Sequence, residues 1–133
     1  MKRTLLLALA LIVVGCTEPI PRNLDDLVQQ GEVYLDRETM RPYSGPVFRF
    51  LSNDTTGVRL SVNLKDGKMD GPYEDYYANG QLWAKGTYAA GERDGPAEMY
   101  HENGQLEAKG TWNMGEACGE WILEGEAQTY PPC

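Results

Sequence analysis

The chain has 133 residues, room for one domain, and sets 12 Lys and Arg against 20 Asp and Glu for a net charge of −8. That excess of acid excludes nucleic acid and anionic lipid as electrostatic partners, since both need a basic face. Fifteen glycines and eight tyrosines against two phenylalanines favour turns and half-exposed strands over helices, and a single histidine leaves no zinc spacing.

The chain opens on Met1-Lys2-Arg3 and an apolar run from Leu5 to Val14. Ten residues at ~1.5 Å rise cover about half of a ~30 Å hydrocarbon core, too little for a span and right for a secretory signal. Val13-Val14-Gly15-Cys16 at its end resembles a bacterial lipobox. The resemblance implies that residues 1–15 are a lipoprotein signal peptide, that Cys16 is lipidated and becomes the N-terminus, and that the protein is anchored at the cell envelope. With Thr17 rather than Asp after the cysteine, it also implies the periplasmic side of the outer membrane in a Gram-negative cell. Several acyl chains make such anchoring stable where one is marginal. Cleavage removes Lys2 and Arg3, so 10 basic residues face 20 acidic ones, a formal −10 over 118 residues.

Residues 16–26 hold two prolines without periodicity and read as the lipidated cysteine and its tether. From 27 to 123 the chain repeats itself. Residues 67–90 and 91–114 are identical at 14 of 24 positions with no gap. A partial third copy starts at Gly115, and a weaker one covers 47–67 with a longer loop around Asn53 to Gly57. Val33 to Ser44 reads as one more degenerate unit. Each period carries two turn signals, Asn-Gly and Gly-x-x-Asp-Gly-Pro, separated by stretches of strand length rich in Tyr, Trp, Leu and Thr. Two strands and two turns per period predict an all-β fold: an elongated, single-layer antiparallel meander of about nine strands between Leu27 and Trp121.

Two registers are open at Asn79-Gly80. A two-residue loop pairs Tyr76 with Trp83 and Glu74 with Lys85. A type I turn with Gly80 in a left-handed bulge pairs Tyr76 with Leu82 and collects Glu74, Tyr76, Leu82, Ala84 and Gly86 on one face; the second is preferred, because both copies share those residues.

The pattern G-x-Y/A-E-x-Y-x-x-NGQL-x-x-KGTY/W-x-x-G-x-x-DG resembles the MORN-variant repeat, as found in YwqK-type toxin–antitoxin antitoxins. The resemblance implies a hairpin sheet with an interaction role, no catalytic residues and no cofactor.

Candidate binding residues are the aromatic and variable positions Tyr73, Tyr76, Tyr77, Trp83, Tyr88, Tyr100, His101 and Trp112. No nucleophile set, phosphate loop or metal triad assembles around them. His101 reads as a surface strand residue, and Asp66, Asp70 and Asp94 read as turn residues rather than calcium ligands. The expected function is therefore a non-enzymatic, membrane-anchored repeat module for protein–protein interaction, antitoxin- or immunity-like, with a basic partner suited to its acidic surface. The alternative is glycan or peptidoglycan binding, with aromatic rows stacking on sugar faces.

Cys118 stands where the earlier copies have Asp70 and Asp94, at an expected turn, and Cys133 ends a proline-containing tail, 124–133. A bond between them closes a 15-residue loop and folds the tail over the last strand. Two free thiols, or a crosslink between chains, are the alternatives.

Overall fold

The computed structural model describes residues 19–51 and 54–133; residues 1–15, expected to be a signal peptide, and Cys16 lie outside the described residues. Twelve strands follow one another: β1 (Arg22–Asn23), β2 (Val28–Gln30), β3 (Val33–Leu35), β4 (Gly45–Leu51), β5 (Asp54–Lys65), β6 (Lys68–Tyr76), β7 (Leu82–Ala89), β8 (Glu92–Arg93), β9 (Gly95–Tyr100), β10 (Leu106–Asn113), β11 (Glu116–Leu123) and β12 (Glu126–Thr129). A 3₁₀ turn, Leu24–Asp26, follows β1. Among the described residues no helix is long and apolar enough to cross a membrane.

The repeats build one sheet of ten strands in the order β1-β4-β5-β6-β7-β9-β10-β11-β12, with β8 also on β7. Every pairing in it is antiparallel except β1 with β4. This is the all-β meander that the two turn signals per period predict.

The turns divide their labour differently from the expectation. The tight hairpins are Asp66-Gly67, Ala90-Gly91, Met114-Gly115 and Glu124-Gly125, in which both residues have positive φ, the twist-matched two-residue geometry. Asp70-Gly71-Pro72 is not a turn. It lies inside β6, where Gly71 at φ 90° bends the strand, and the corresponding Asp94 separates β8 from β9. Each of these aspartates accepts from the next unit's hairpin instead: Ala90 N–H donates to Asp70 Oδ2 (3.2 Å) and Met114 N–H to Asp94 Oδ1 (3.3 Å).

At Asn79-Gly80 both expected registers occur in sequence. Gly80 N–H donates to the Tyr77 carbonyl, Gly80 has φ 82°, and Tyr76 pairs with Leu82. The register then shifts at Trp83, so Asp75 faces Ala84 and Glu74 faces Lys85. One extra residue on one strand flips every later side chain. The single face expected for Glu74, Tyr76, Leu82, Ala84 and Gly86 is thereby split: the first three stay together, and Ala84 and Gly86 point the other way.

The core forms on one side of the sheet from Val47, Val62, Leu64, Tyr73 and Ala84, capped by Leu24 and Leu27. Residues 22–26 are therefore packed structure rather than tether: Leu24 is 2% exposed, and Asn23 caps the 3₁₀ turn through Asp25 N–H. Val33–Leu35 pairs with β2 in a separate two-stranded sheet and lies against the Asp66-Gly67 hairpin, with Tyr34 N–H donating to the Gly67 carbonyl (2.7 Å). It is not a further unit of the meander, because the edge of β4 is taken by β1.

The C-terminal segment is also structured. Residues 126–129 form β12 on β11, and Cys118 and Cys133 are disulfide-bonded, with Cα atoms 4.9 Å apart. Cys118 lies within β11 and is 4% exposed, a consequence of the Asp-Gly-Pro position being strand and not turn. Where earlier units tie this position to the next hairpin through an aspartate, the last unit ties it to the tail by a covalent bond. A repeat stack needs such a distinct terminal unit to close it.

Candidate functional site

Alternation along the strands, reset by the bulges at Trp83 and in the matching β9–β10 hairpin, gives the sheet two unlike faces. The first face carries Pro72, Glu74, Tyr76, Leu82, Lys85 and Thr87 from one unit and Pro96, Glu98, Tyr100, Leu106, Lys109 and Thr111 from the next. All six pairs are identical in residue type. A groove of about 600 Å³ runs across this face between the prolines and the charged row.

Three of the four charges in the groove are paired within it, and Glu74 accepts from a tyrosine at its margin. Lys85 Nζ lies 2.8 Å from one Glu98 oxygen and Lys109 Nζ 3.1 Å from the other. Tyr100 Oη donates to Glu98, and Tyr76 Oη donates to Glu74 Oε2 at 2.6 Å. These donors, Lys85 first, hold the Glu98 carboxyl at about 2, well below the usual range, and the same contact raises Lys85. Accepting carboxylates likewise raise the Tyr76 and Tyr100 hydroxyls.

The second face carries the differences. Met69 becomes Arg93, Tyr73 becomes Ala97, Asp75 becomes Met99, and Tyr88 becomes Trp112. Ala84/Ala108 and Gly86/Gly110 remain constant there, for steric reasons. A Cβ on Gly110 would sit 2.0 Å from the Trp121 ring, and one on Gly86 would sit 3.0 Å from Tyr73. The glycines are flat seats on which aromatic rings from adjacent strands lie, the arrangement that rescues glycine in sheets. Arg93 stacks over Trp112 at 5.4 Å and opposes Tyr88 across the strands. Its burial would lower its pKa, but Tyr88, Tyr73 and Asp75 more than offset this and raise it. Burial raises the Asp75 carboxyl from its ordinary value despite Arg59 at 3.6 Å. The Tyr73 hydroxyl and the Trp112 indole N–H are both buried and have no hydrogen-bond partner.

The eight candidate residues do not form one surface. Tyr76 and Tyr100 line the first face. Tyr73, at 5% exposure, is core and presents nothing to a partner. Trp83, the bulge residue, packs against that core with Tyr88. Trp112 stands further along the second face, in edge contact with Trp121, which in turn meets Tyr130. Tyr77 and His101 lie at the Asn-Gly end. There the two units hold one contact in different chemistries: Tyr77 meets Trp83 at 6.2 Å, and their counterparts His101 and Glu107 approach to 3.9 Å. His101 also reaches Glu124 at 3.1 Å. Among the described residues no group of three or more His, Cys, Asp or Glu could hold a metal.

Sequence reasoning missed Arg93 and the Lys85–Glu98–Lys109 row. The expected register did place Glu74, Tyr76 and Leu82 on one side. On the returning strand the bulge breaks the alternation that would have added the lysines.

No curated protein matches the chain. Two consecutive segments, 69–90 and 93–114, match the model of the MORN repeat variant, whose repeats are generally protein- or membrane-interaction modules and typically non-enzymatic.

Proposed function

We propose that this protein is a non-catalytic interaction module, lipid-anchored through Cys16 at the cell envelope, that binds a basic protein with the second face of its sheet. The observation that supports the reading is the half-finished cover of that face. Leu24 and Leu27 close it over Val47, Val62 and Tyr73. Further along, Tyr88, Arg93, Met99 and Trp112 are half-exposed at positions where the copies have diverged, and Tyr130 of the tail is half-exposed beyond them. Aromatics and arginine at the centre of a patch are the residues that dominate interface energies. A chain of net charge −8 draws in a basic partner faster than a neutral one would, and the attraction weakens with salt. Masking a toxin or effector, as an immunity protein does, fits this reading.

Affinity capture from envelope extract tests it, with wild type beside Trp112→Ser and Arg93→Glu variants of unchanged melting temperature. A specific basic protein retained by wild type and lost from both variants is expected. Equal recovery by all three, or no specific protein at low salt, refutes the proposal. Anchoring has its own test: Cys16→Ala should leave the domain folded but move it from membrane pellets to the soluble fraction, and pelleting at high salt would contradict it.

A further inference from the structure

The first face, opposite the one just assigned, has chemistry of a different kind, and we infer that its groove binds an uncharged linear glycan, one disaccharide per repeat. Three observations converge on that ligand.

The first is periodicity. Pro46, Pro72 and Pro96 recur on β4, β6 and β9 along the groove wall, and Glu74/Glu98 and Lys85/Lys109 recur beside them. Each recurrence is two strands apart, about 9.6 Å at ~4.8 Å per strand. A β-1,4-linked disaccharide has nearly this length, so a glycan laid across the strands meets the same groups at every second ring. An extended peptide repeats its side-chain direction every ~6.8 Å and falls out of step.

The second is charge. The chain is strongly acidic, yet the groove lining holds Glu74 and Glu98 against Lys85 and Lys109, two of each sign, with both lysines on Glu98. A groove neutral within itself offers no net attraction to an ion of either sign. It does offer both donors and acceptors, from Ser61, Asn63, Thr87 and the charged row, which is what hydroxyl groups require.

The third is the margin. Tyr76 and Tyr100 flank the charged row, each held by a hydrogen bond to the carboxylate two residues earlier. Fixed rings one repeat apart can carry the apolar faces of alternate sugars. A polyproline helix has a similar pitch, about 9.3 Å per turn, but it has no hydrogen-bond donor to offer Glu74 and Glu98, whereas sugar hydroxyls donate and accept.

Calorimetric titration of the full chain in detergent with chitobiose, chitotetraose and chitohexaose tests the inference. Affinity should rise at least tenfold from the disaccharide to the tetrasaccharide as the second repeat engages, and further for the hexasaccharide. Lys109→Gln and Glu74→Gln should each weaken chitohexaose binding tenfold or more at unchanged melting temperature, while Arg93→Gln on the opposite face should leave it intact. Absent binding of chitohexaose, equal affinity at all lengths, tighter binding of hexaproline or of an oligogalacturonate, or indifference to both groove variants would each overturn it. None of these results bears on capture of a protein by the opposite face.

Discussion

The two faces of one sheet have diverged at different rates within a single chain. Across the two complete units, the six groove-face pairs from Pro72/Pro96 to Thr87/Thr111 are identical, and differences there are confined to the hairpin end, at Lys68/Glu92 and Ala89/Asn113. On the aromatic face, by contrast, Ala84/Ala108 and Gly86/Gly110 are the constant pairs and Met69/Arg93, Tyr73/Ala97, Asp75/Met99 and Tyr88/Trp112 differ along the strands. Identity on the aromatic face follows from packing, since rings rest on those glycines. Identity on the groove face has a weaker structural cause: its side chains are solvent-exposed or half-exposed, and the ion pairs and hydrogen bonds that join Glu98 to Lys85, Lys109 and Tyr100 are screened by solvent and contribute little each. Constancy where packing does not demand it points to a repeated ligand, and divergence where aromatics are exposed points to a particular one.

The comparison rests on the sheet being closed at its C-terminal end, and the largest expected effect comes from opening it. Replacing Cys118 and Cys133 by serine releases a loop of 15 residues, worth about 3 kcal/mol in the chain-entropy model. Denaturant unfolding should show that loss together with fraying of β12, read as fast amide exchange at Trp121 and Leu123, whose N–H groups face β12; an unchanged midpoint contradicts the closing role. Next in size, Gly110→Ala drives a methyl into the Trp121 ring and should cost about 1–3 kcal/mol by overpacking. Gly86→Ala, whose neighbour is 3.0 Å away, should cost less. Melting temperatures in the reverse order would disprove the ring-on-glycine account. Gly80→Val and Gly104→Val place a β-branched residue at positive φ and should each cost about 1–2 kcal/mol.

The smallest effect is the one specific to the groove face. Glu98 titrates at about 2 in the folded chain against an ordinary 4.5. Its pairing therefore stabilises the fold fully above about pH 4.5, and that contribution is lost as pH falls towards 2. Solvent reaches the carboxylate, so screening holds the contribution to about 1 kcal/mol or less. Glu98→Gln should flatten the acid limb of the stability profile within that window and leave the profile at neutral pH nearly parallel to wild type. A steeper acid limb in the variant would contradict the sign.

The fold was legible because it is local. Two turn signals in every 24 residues dictate an antiparallel meander, and repetition removes most topological alternatives. The left-handed Gly80 followed from Asn79-Gly80, whose residues tolerate that geometry. The site was less legible, for two physical reasons. A bulge at Trp83 inverts the alternation halfway along a hairpin, so residues sharing a face in the sequence pattern are divided in space. Burial then removes Tyr73, which is as aromatic as Tyr76 but points into a core completed by Leu24, a residue from a segment that reads as a tether. Alternation puts Tyr73 on the opposite side of β6 from Tyr76; what makes that side core is Leu24, packed there from far away in the sequence.

The division of labour between the faces can be read in one experiment. A photoreactive phenylalanine analogue is placed in turn at Tyr88, Trp112, Tyr76 and Tyr100, and the chain is irradiated in intact bacterial cells. The account predicts a discrete protein adduct from positions 88 and 112 and none from 76 and 100. Protein adducts from 76 and 100 with none from 88 and 112 would contradict it.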